Sequence, residues 1–457
     1  MTNASPAGPA TILASWSAGL RPEEIPPNVR ARAADILLDA VASALAGRSS
    51  DEARMIEQVA RGMGESDEAT VIGGPPLSRA GAVLLNGYQV TASTVCDVYR
   101  PASCHVSPEI VPPALATAER LGASGSALLT AVAIGLEVTT RVGRGIRFPA
   151  FRKRGWHAPG VIGPFGGAAG VAHLLGLDAG RTRAALGLAG SQSAGTQAHY
   201  GTPTIKFHQS RGALSGYLAG TLAAEGFTSA AEIFANPDGG IFHAYSDGGD
   251  PDLVVRDLGS DWELERIALR LWPAASSIQS VVGAVFDLIG EHDLRPDQVR
   301  EMRVFLAPTP YERHGEMGWG TRFEALLSTR YCTAVTLQDR RCWLDQFEPD
   351  AMARVAVDAF ARDRIAVAVD ETVTPEGARI DVTLADGSEI SVTRTTPKGD
   401  AADPVTQDEL VGKFRDASAG VLPDAQRNEA LRLLTGIEEV EDVRELCRVL
   451  RVPAVTA

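Results

Sequence analysis

The stretch Ala34-Asp35-Ile36-Leu37-Leu38-Asp39-Ala40-Val41-Ala42-Ser43-Ala44-Leu45-Ala46-Gly47 decides the fold class. Val29, Ile36, Leu37, Val41 and Leu45 recur at helical spacing, so residues 26–46 are expected to form one long helix, with Gly47 as its C-cap. Similar periods recur at 110–121, 127–142, 168–175, 181–189, 214–225 and 278–289. Alanine and glycine repeat three or four apart through these segments and let helix backbones approach closely. A dense, mostly helical domain is expected to about residue 265.

Beyond that point the pattern changes. Residues 299–306 and 364–369 alternate as strands, and 379–384 and 389–393 alternate around Asp386-Gly387, a hairpin signal. Residues 331–337 and 352–360 read as helices between them. After Pro397-Lys398-Gly399-Asp400 helical periods return at 407–417, 424–434 and 440–449. Alone these last helices would have a thin core, so they are expected to pack back on the first domain. The chain's 457 residues exceed the span of a single core. The expected fold is mainly α: a large all-helical domain, residues 1–265 completed by 402–457, with a smaller α+β lid domain inserted at 266–401.

A net charge of −14 argues against nucleic acid and anionic membranes as partners. Residues 126–135 are strongly apolar, but Glu137, Arg141 and Arg144 follow within the same helix, which predicts a buried core helix rather than a membrane span. The first 14 residues lack a basic region and carry Pro6 and Pro9, unlike a signal peptide. Five scattered cysteines form neither a metal spacing nor a disulfide framework, so a reducing, cytoplasmic location is expected. No histidine spacing suits a metal, no G-x-S-x-G elbow is present, and the Gly160-x-x-Gly163-x-x-Gly166-Gly167-x-x-Gly170 run lacks a preceding strand. That run is expected to be a loop entering a tightly packed helix. Neither metal nor cofactor is expected.

The chemistry concentrates in Gly155-Trp156-His157-Ala158-Pro159-Gly160 and Thr204-Ile205-Lys206-Phe207-His208, with Arg211 one turn on. Of 43 basic residues only four are lysine, yet Lys206 stands between Ile205 and Phe207. A compact ammonium there offers what arginine cannot, a pKa that burial can depress. Upstream, Asp97 and His105 lie in a proline-punctuated connection, and Ser107-Pro108-Glu109 reads as a helix start. His105 would then sit just ahead of a helix N-terminus, a position suited to negative charge. Cys104 beside it reads as a small buried residue. Arg270 marks the domain junction, where a guanidinium fork could clamp a carboxylate.

In this order and spacing these residues resemble the MmgE/PrpD family over nearly the whole chain. The first long helix, Leu186-Gly187-Leu188-Ala189-Gly190-Ser191, Glu225-Gly226-Phe227-Thr228 and the Gly399-Asp400…Lys413-Phe414 tail carry the resemblance. It implies a metal-free and cofactor-free homodimer with its site in a cleft between a helical domain and a lid. By position, that site would comprise Asp97, His105, His157, Lys206, Arg270 and Tyr331, with His208 and Arg211 in a looser lysine–histidine–arginine pattern. Arg270 replaces the family's usual lysine, and Ala275 and Gln279 stand where some members carry histidine. Guanidinium cannot serve as a base but can hold an anion.

The expected function is a lyase acting on a small di- or tricarboxylate by removing an α proton, most nearly a 2-methylcitrate dehydratase-like hydro-lyase. Epimerisation, decarboxylation, or carboxylate binding without catalysis are the alternatives. Arg270, Lys206 and Arg211 would grip carboxylates, with His208 and Gln279 also lining the substrate. His157 or His105 would be the base, and the other histidine or Tyr331 the acid.

Overall fold

A computed structural model describes residues 7–64 and 66–453. The chain divides into two compact units, one running up to Ile267 and resuming at Gln407, the other spanning Ala268–Thr406. The structure is mainly α-helical.

In the first unit the Pro27–Gly47 helix begins on a proline at its first position and buries every residue from Ile36 to Gly47. Gly47 lies inside this helix rather than capping it. Its service is close approach, because a Cβ there would stand 2.0 Å from the Gln89 carbonyl oxygen. Gln89 belongs to the Arg79–Ala92 helix, which was not foreseen, nor were the Pro9–Gly19 and Asp51–Gly62 helices. Their apolar positions are diluted by alanine, glycine and charge, so periodicity alone does not expose them.

The Gly125–Gly145 helix is the one helix among the described residues long and apolar enough to cross a membrane, and nearly all of it is buried. Its charges explain why it can lie inside the protein. Glu137 and Arg141 are fully buried and bonded at 2.5 Å, and Glu137 also accepts the backbone N–H groups of Glu263 and Leu264. The Gly160–Gly170 run is not a loop. It lies within the Ala158–Leu174 helix, whose glycines meet other backbones: a Cβ at Gly166 would stand 2.1 Å from the Gly135 carbonyl oxygen.

The returning segment forms Gln407–Ser418, Asp424–Thr435 and Arg444–Leu450. The last helix starts later than expected because Ile437–Glu439 is a separate 3-10 turn and Asp442 caps Arg444. Lys413 anchors the segment. Its ammonium donates to the Asp39 carboxylate and to the Val95 carbonyl, the latter at 2.7 Å, and both charged side chains are 1% exposed.

The second unit is built on a four-stranded sheet ordered Ile365–Val369, Val299–Leu306, Ala378–Leu384, Glu389–Arg394. The first pair is parallel and the others antiparallel. Met302, Val304 and Leu306 alternate into the core, with Val304 opposite Ile380. Gly387 adopts φ +89° in the hairpin turn, a conformation that favours glycine. The Gln279–His292 and Thr329–Asp339 helices complete the core. The helix expected at 352–360 is broken in two, Pro349–Met352 and Val355–Asp363.

Candidate active site

Two helices of the first unit set the site. His157 is the N-cap of Ala158–Leu174, and its backbone N–H donates to the Gly195 carbonyl at 3.0 Å. His208 lies in the first turns of Thr204–Ala224. The two helices pack glycine to backbone, and a Cβ at Gly160 would stand 3.0 Å from the His208 Cβ. This approach brings His157 Nδ1 to 3.1 Å from His208 Nδ1. His199 meets His208 edge-on, with ring centroids 5.8 Å apart. Gly195 closes the pocket around His208 at φ +142°, and a Cβ there would stand 2.9 Å from the ring's Nδ1.

One ring of the pair must donate at that contact and the other accept, so the contact holds a single proton. Burial first, then the charges of His208, His105 and Arg152, holds His157 well below the ordinary histidine range. Burial, with Arg211 and His199, pulls His208 down to about 4. Both imidazoles are therefore neutral near pH 7.

His105 enters this group by its electrostatic reach to His157. Its Nδ1 is 2.7 Å from the Asp97 carbonyl oxygen, which can only accept, so the neutral ring carries its lone pair on Nε2. Asp97 caps the Ser107–Leu121 helix. Its carboxylate accepts the N–H of Val106 at 2.8 Å and of Ser107 at 3.1 Å, and also the Ser107 hydroxyl. The helix N-terminus beside His105 is thus served by a built-in anion, and the Asp97 carbonyl holds the histidine ring.

Lys206 and His208 are two residues apart and do not share a helix face. The Lys206 ammonium donates to the Ala92 carbonyl at the end of the Arg79–Ala92 helix and to Thr94 Oγ1 at 3.1 Å. Thr94 itself has φ +60°, a strained setting for a β-branched residue. Arg211 donates to the carbonyls of Gln192, Ala194 and Gly160 and to Ser215 Oγ. With those bonds it clamps the loop that carries Gly195.

Three expected residues belong to the second unit. Tyr331 is fully buried, stacked among Trp319 and Phe347, with its hydroxyl donating to the Gln346 carbonyl at 2.5 Å. Burial raises its phenol above the ordinary tyrosine range. Gln279 is also fully buried and its amide donates to the Trp272 and Ala274 carbonyls, stapling that turn. Arg270 is 2% exposed, with Nη1 3.5 Å from the Ala274 carbonyl oxygen. Cys104 is buried and its thiol is pushed up by burial, which makes it a packing residue.

Sequence reasoning passed over His199, whose spacing carries no signal, and Glu109, read only as part of a helix start. Glu109 is fully buried with neither carboxyl oxygen hydrogen-bonded. Among the described residues no cluster of histidine, cysteine or carboxylate side chains suits a metal ion. An open groove of about 310 Å³ lined by Trp16, Leu20 and Trp262 includes none of these histidines.

The depressed histidines also set a pH dependence. His157, His173, His208 and His314 all bind protons more weakly when folded than unfolded, His208 and His314 at about 4. Their contribution is complete above the unfolded value of 6.5 and is lost as pH falls toward 4. The urea midpoint should therefore drop steadily from pH 6.5 to 4.5, and His208→Gln with His314→Gln should flatten that slope. An unchanged slope in the double variant would remove these two rings as its cause.

Residues 11–254 match the MmgE/PrpD N-terminal domain and residues 272–435 the MmgE/PrpD C-terminal domain. The chain is 27% identical to the cis-aconitate decarboxylase-like protein oryM of Aspergillus oryzae, covering 98% of both chains. It is 25% identical to a cis-aconitate decarboxylase of Aspergillus terreus, over 98% of this chain and 96% of the relative. The human cis-aconitate decarboxylase is 24% identical, over 95% and 93%. Two domain matches in order, together spanning most of the residues, show that this chain belongs to the MmgE/PrpD family.

Proposed function

We infer that this chain is a cofactor-independent lyase of small polycarboxylates whose proton transfers run through His157, His208 and His105. The observation that carries this reading is the Nδ1–Nδ1 contact of 3.1 Å between two imidazoles held neutral. A neutral imidazole can take a proton α to a carboxylate, and a pair sharing one proton can accept at one ring and release from the other. The charges of Arg152, which reaches His157, and of Lys206 suit an anionic substrate. Five buried thiols, with no disulfide among the described residues, fit a reducing cytoplasm.

The names of the relatives favour decarboxylation of an unsaturated tricarboxylate such as cis-aconitate. In that step the bond to one carboxylate breaks and CO₂ departs. The electron pair spreads into the remaining unsaturated acid, and a proton is delivered to carbon. Dehydration, the reaction expected first from the sequence, is the second reading, favoured by the shared proton. One ring would remove the α proton while the other protonates the departing hydroxyl.

The test is incubation with cis-aconitate and a panel of hydroxy and unsaturated polycarboxylates in D₂O, followed by proton NMR and CO₂ detection. Released CO₂ with deuterium in the product is the expected result. Vinyl signals without CO₂ would favour dehydration, and deuterium wash-in alone would indicate epimerisation. If no substrate exchanges a proton or loses CO₂, the lyase reading fails.

A further inference from the structure

Decarboxylation replaces a carbon–carboxylate bond by a carbon–hydrogen bond and so consumes one proton per turnover. Neutral imidazoles carry no surplus proton to supply it. Resting on the lyase reading above, we propose that Glu109 is the internal acid that recharges the imidazole pair, a relay residue that acts through the histidines without touching substrate.

The geometry places it for that task. Glu109 is fully buried in the first turn of the Ser107–Leu121 helix, four residues beyond His105. Both its carboxyl oxygens are shielded from solvent and lack a hydrogen-bond partner. Room for it is made by glycines of the two helices that carry the imidazoles. A Cβ at Gly163 would stand 2.5 Å from Glu109 Cγ, and a Cβ at Gly212 would stand 3.0 Å from the same atom. His208 and Gly212 are four apart and share one helix face, so Glu109 lies about one turn, ~5.4 Å along the axis, below His208.

An ionised carboxylate without hydrogen bonds in such a place is strongly disfavoured. Burial first, and then the negative charge of Asp97, lifts Glu109 well above the usual carboxylate range, while Arg211 pulls weakly the other way. Of the charged and titratable groups coupled to it, Asp97 and Cys104 come from its own loop and Arg211 from the Thr204–Ala224 helix that also carries His208. His157 sits at the start of the Ala158–Leu174 helix. In the step proposed, the Glu109 O–H bond breaks as an imidazole N–H bond forms, directly or through one water. In the same motion an N–H bond of that imidazole pair breaks to form the carbon–hydrogen bond, so the neutral rings pass the proton on to the carbanion carbon without resting as an imidazolium. The transient carboxylate is eased by the Arg211 charge and regains its proton from solvent through the partly exposed His157 after the product leaves.

Glu109→Gln keeps shape and neutrality but has no acidic proton. We expect kcat to fall by about 10²-fold, the order of general-acid assistance, with KM and Tm unchanged and a larger solvent isotope effect. A structural role alone would move Tm and leave the isotope effect as it was. E109Q turning over at the wild-type kcat with the wild-type isotope effect overturns the proposal while sparing the lyase reading. Wild type that turns over no polycarboxylate removes both. Should E109Q not fold, infrared spectroscopy of the wild type decides. A protonated-carboxyl band at pH 7 that bleaches on mixing with cis-aconitate supports the relay, and an ionised or unresponsive carboxyl overturns it.

Discussion

Replacing His157 with glutamine should lower kcat/KM by about 10²–10⁴-fold, the range of a lost acid–base group, with Tm held within about 2–4 °C, the shift a ~1 kcal/mol change makes in a domain of roughly 150–250 residues. The residue keeps some exposure at the head of its helix, and its ring hydrogen bond is the Nδ1 approach to His208. Glutamine preserves a polar N-cap but cannot exchange a proton near neutrality. The acid limb of wild-type kcat/KM should lie well below pH 6.5, because burial and neighbouring cations depress the free enzyme's imidazole. Tyr331→Phe is the contrast. It deletes a buried hydroxyl bonded to the Gln346 carbonyl, for about 1 kcal/mol of stability, and should leave kcat unchanged. A reversed pattern, with H157Q active and Y331F inactive, would sink the assignment of the site to the imidazole cluster.

Lys413→Met should destabilise the first unit by about 3–5 kcal/mol, as breaking one side of a buried pair leaves an uncompensated charge. Both charged side chains are 1% exposed. The same ammonium also holds the Val95 carbonyl, two residues before Asp97, so the loss should spread to the loop that orients His105. Replacing both partners, Asp39→Leu with Lys413→Met, should recover most of the loss, because apolar pairs of similar volume substitute well for buried ions. Urea unfolding of the three variants reads this directly. A loss below about 1 kcal/mol in the single variant would place the pair among weak surface bridges.

How far the fold and site were legible varies by element. The Val299–Leu306 strand falls where its alternation put it, since one face is buried and a shift of one residue would expose that face. The Ala158–Leu174 and Thr204–Ala224 helices each begin ten residues before the periodic pattern at 168 and 214. Their first halves are rich in glycine, proline and polar side chains, so apolar periodicity is silent there. Tertiary packing overrides poor propensity. Those silent halves carry His157, Lys206 and His208, which is why the site had to be read from chemistry and not from pattern.

Lysine scarcity singled out Lys206, yet it marks scaffold equally well, for Lys413 closes the buried pair with Asp39. Tyr331 and Gln279 came from resemblance of position, and local packing gives both a fully buried place. Glu109 was illegible for a different reason. Its signal is the lack of any partner, which becomes visible only once three helices surround it.

The seam between the two site helices has a consequence for how this chemistry can change. A Cβ at Gly216 would stand 2.9 Å from the Gly167 Cα, so the separation is governed by main-chain atoms in contact. Side-chain exchange along that line can wedge the rods apart but has nothing to trim that would bring them nearer. The gap between the two rings is thus inherited from backbone geometry as a fixed gauge. Drift toward new substrates is left to the loops bordering the rings, while an alanine at residue 216 should blunt turnover before it unfolds the protein.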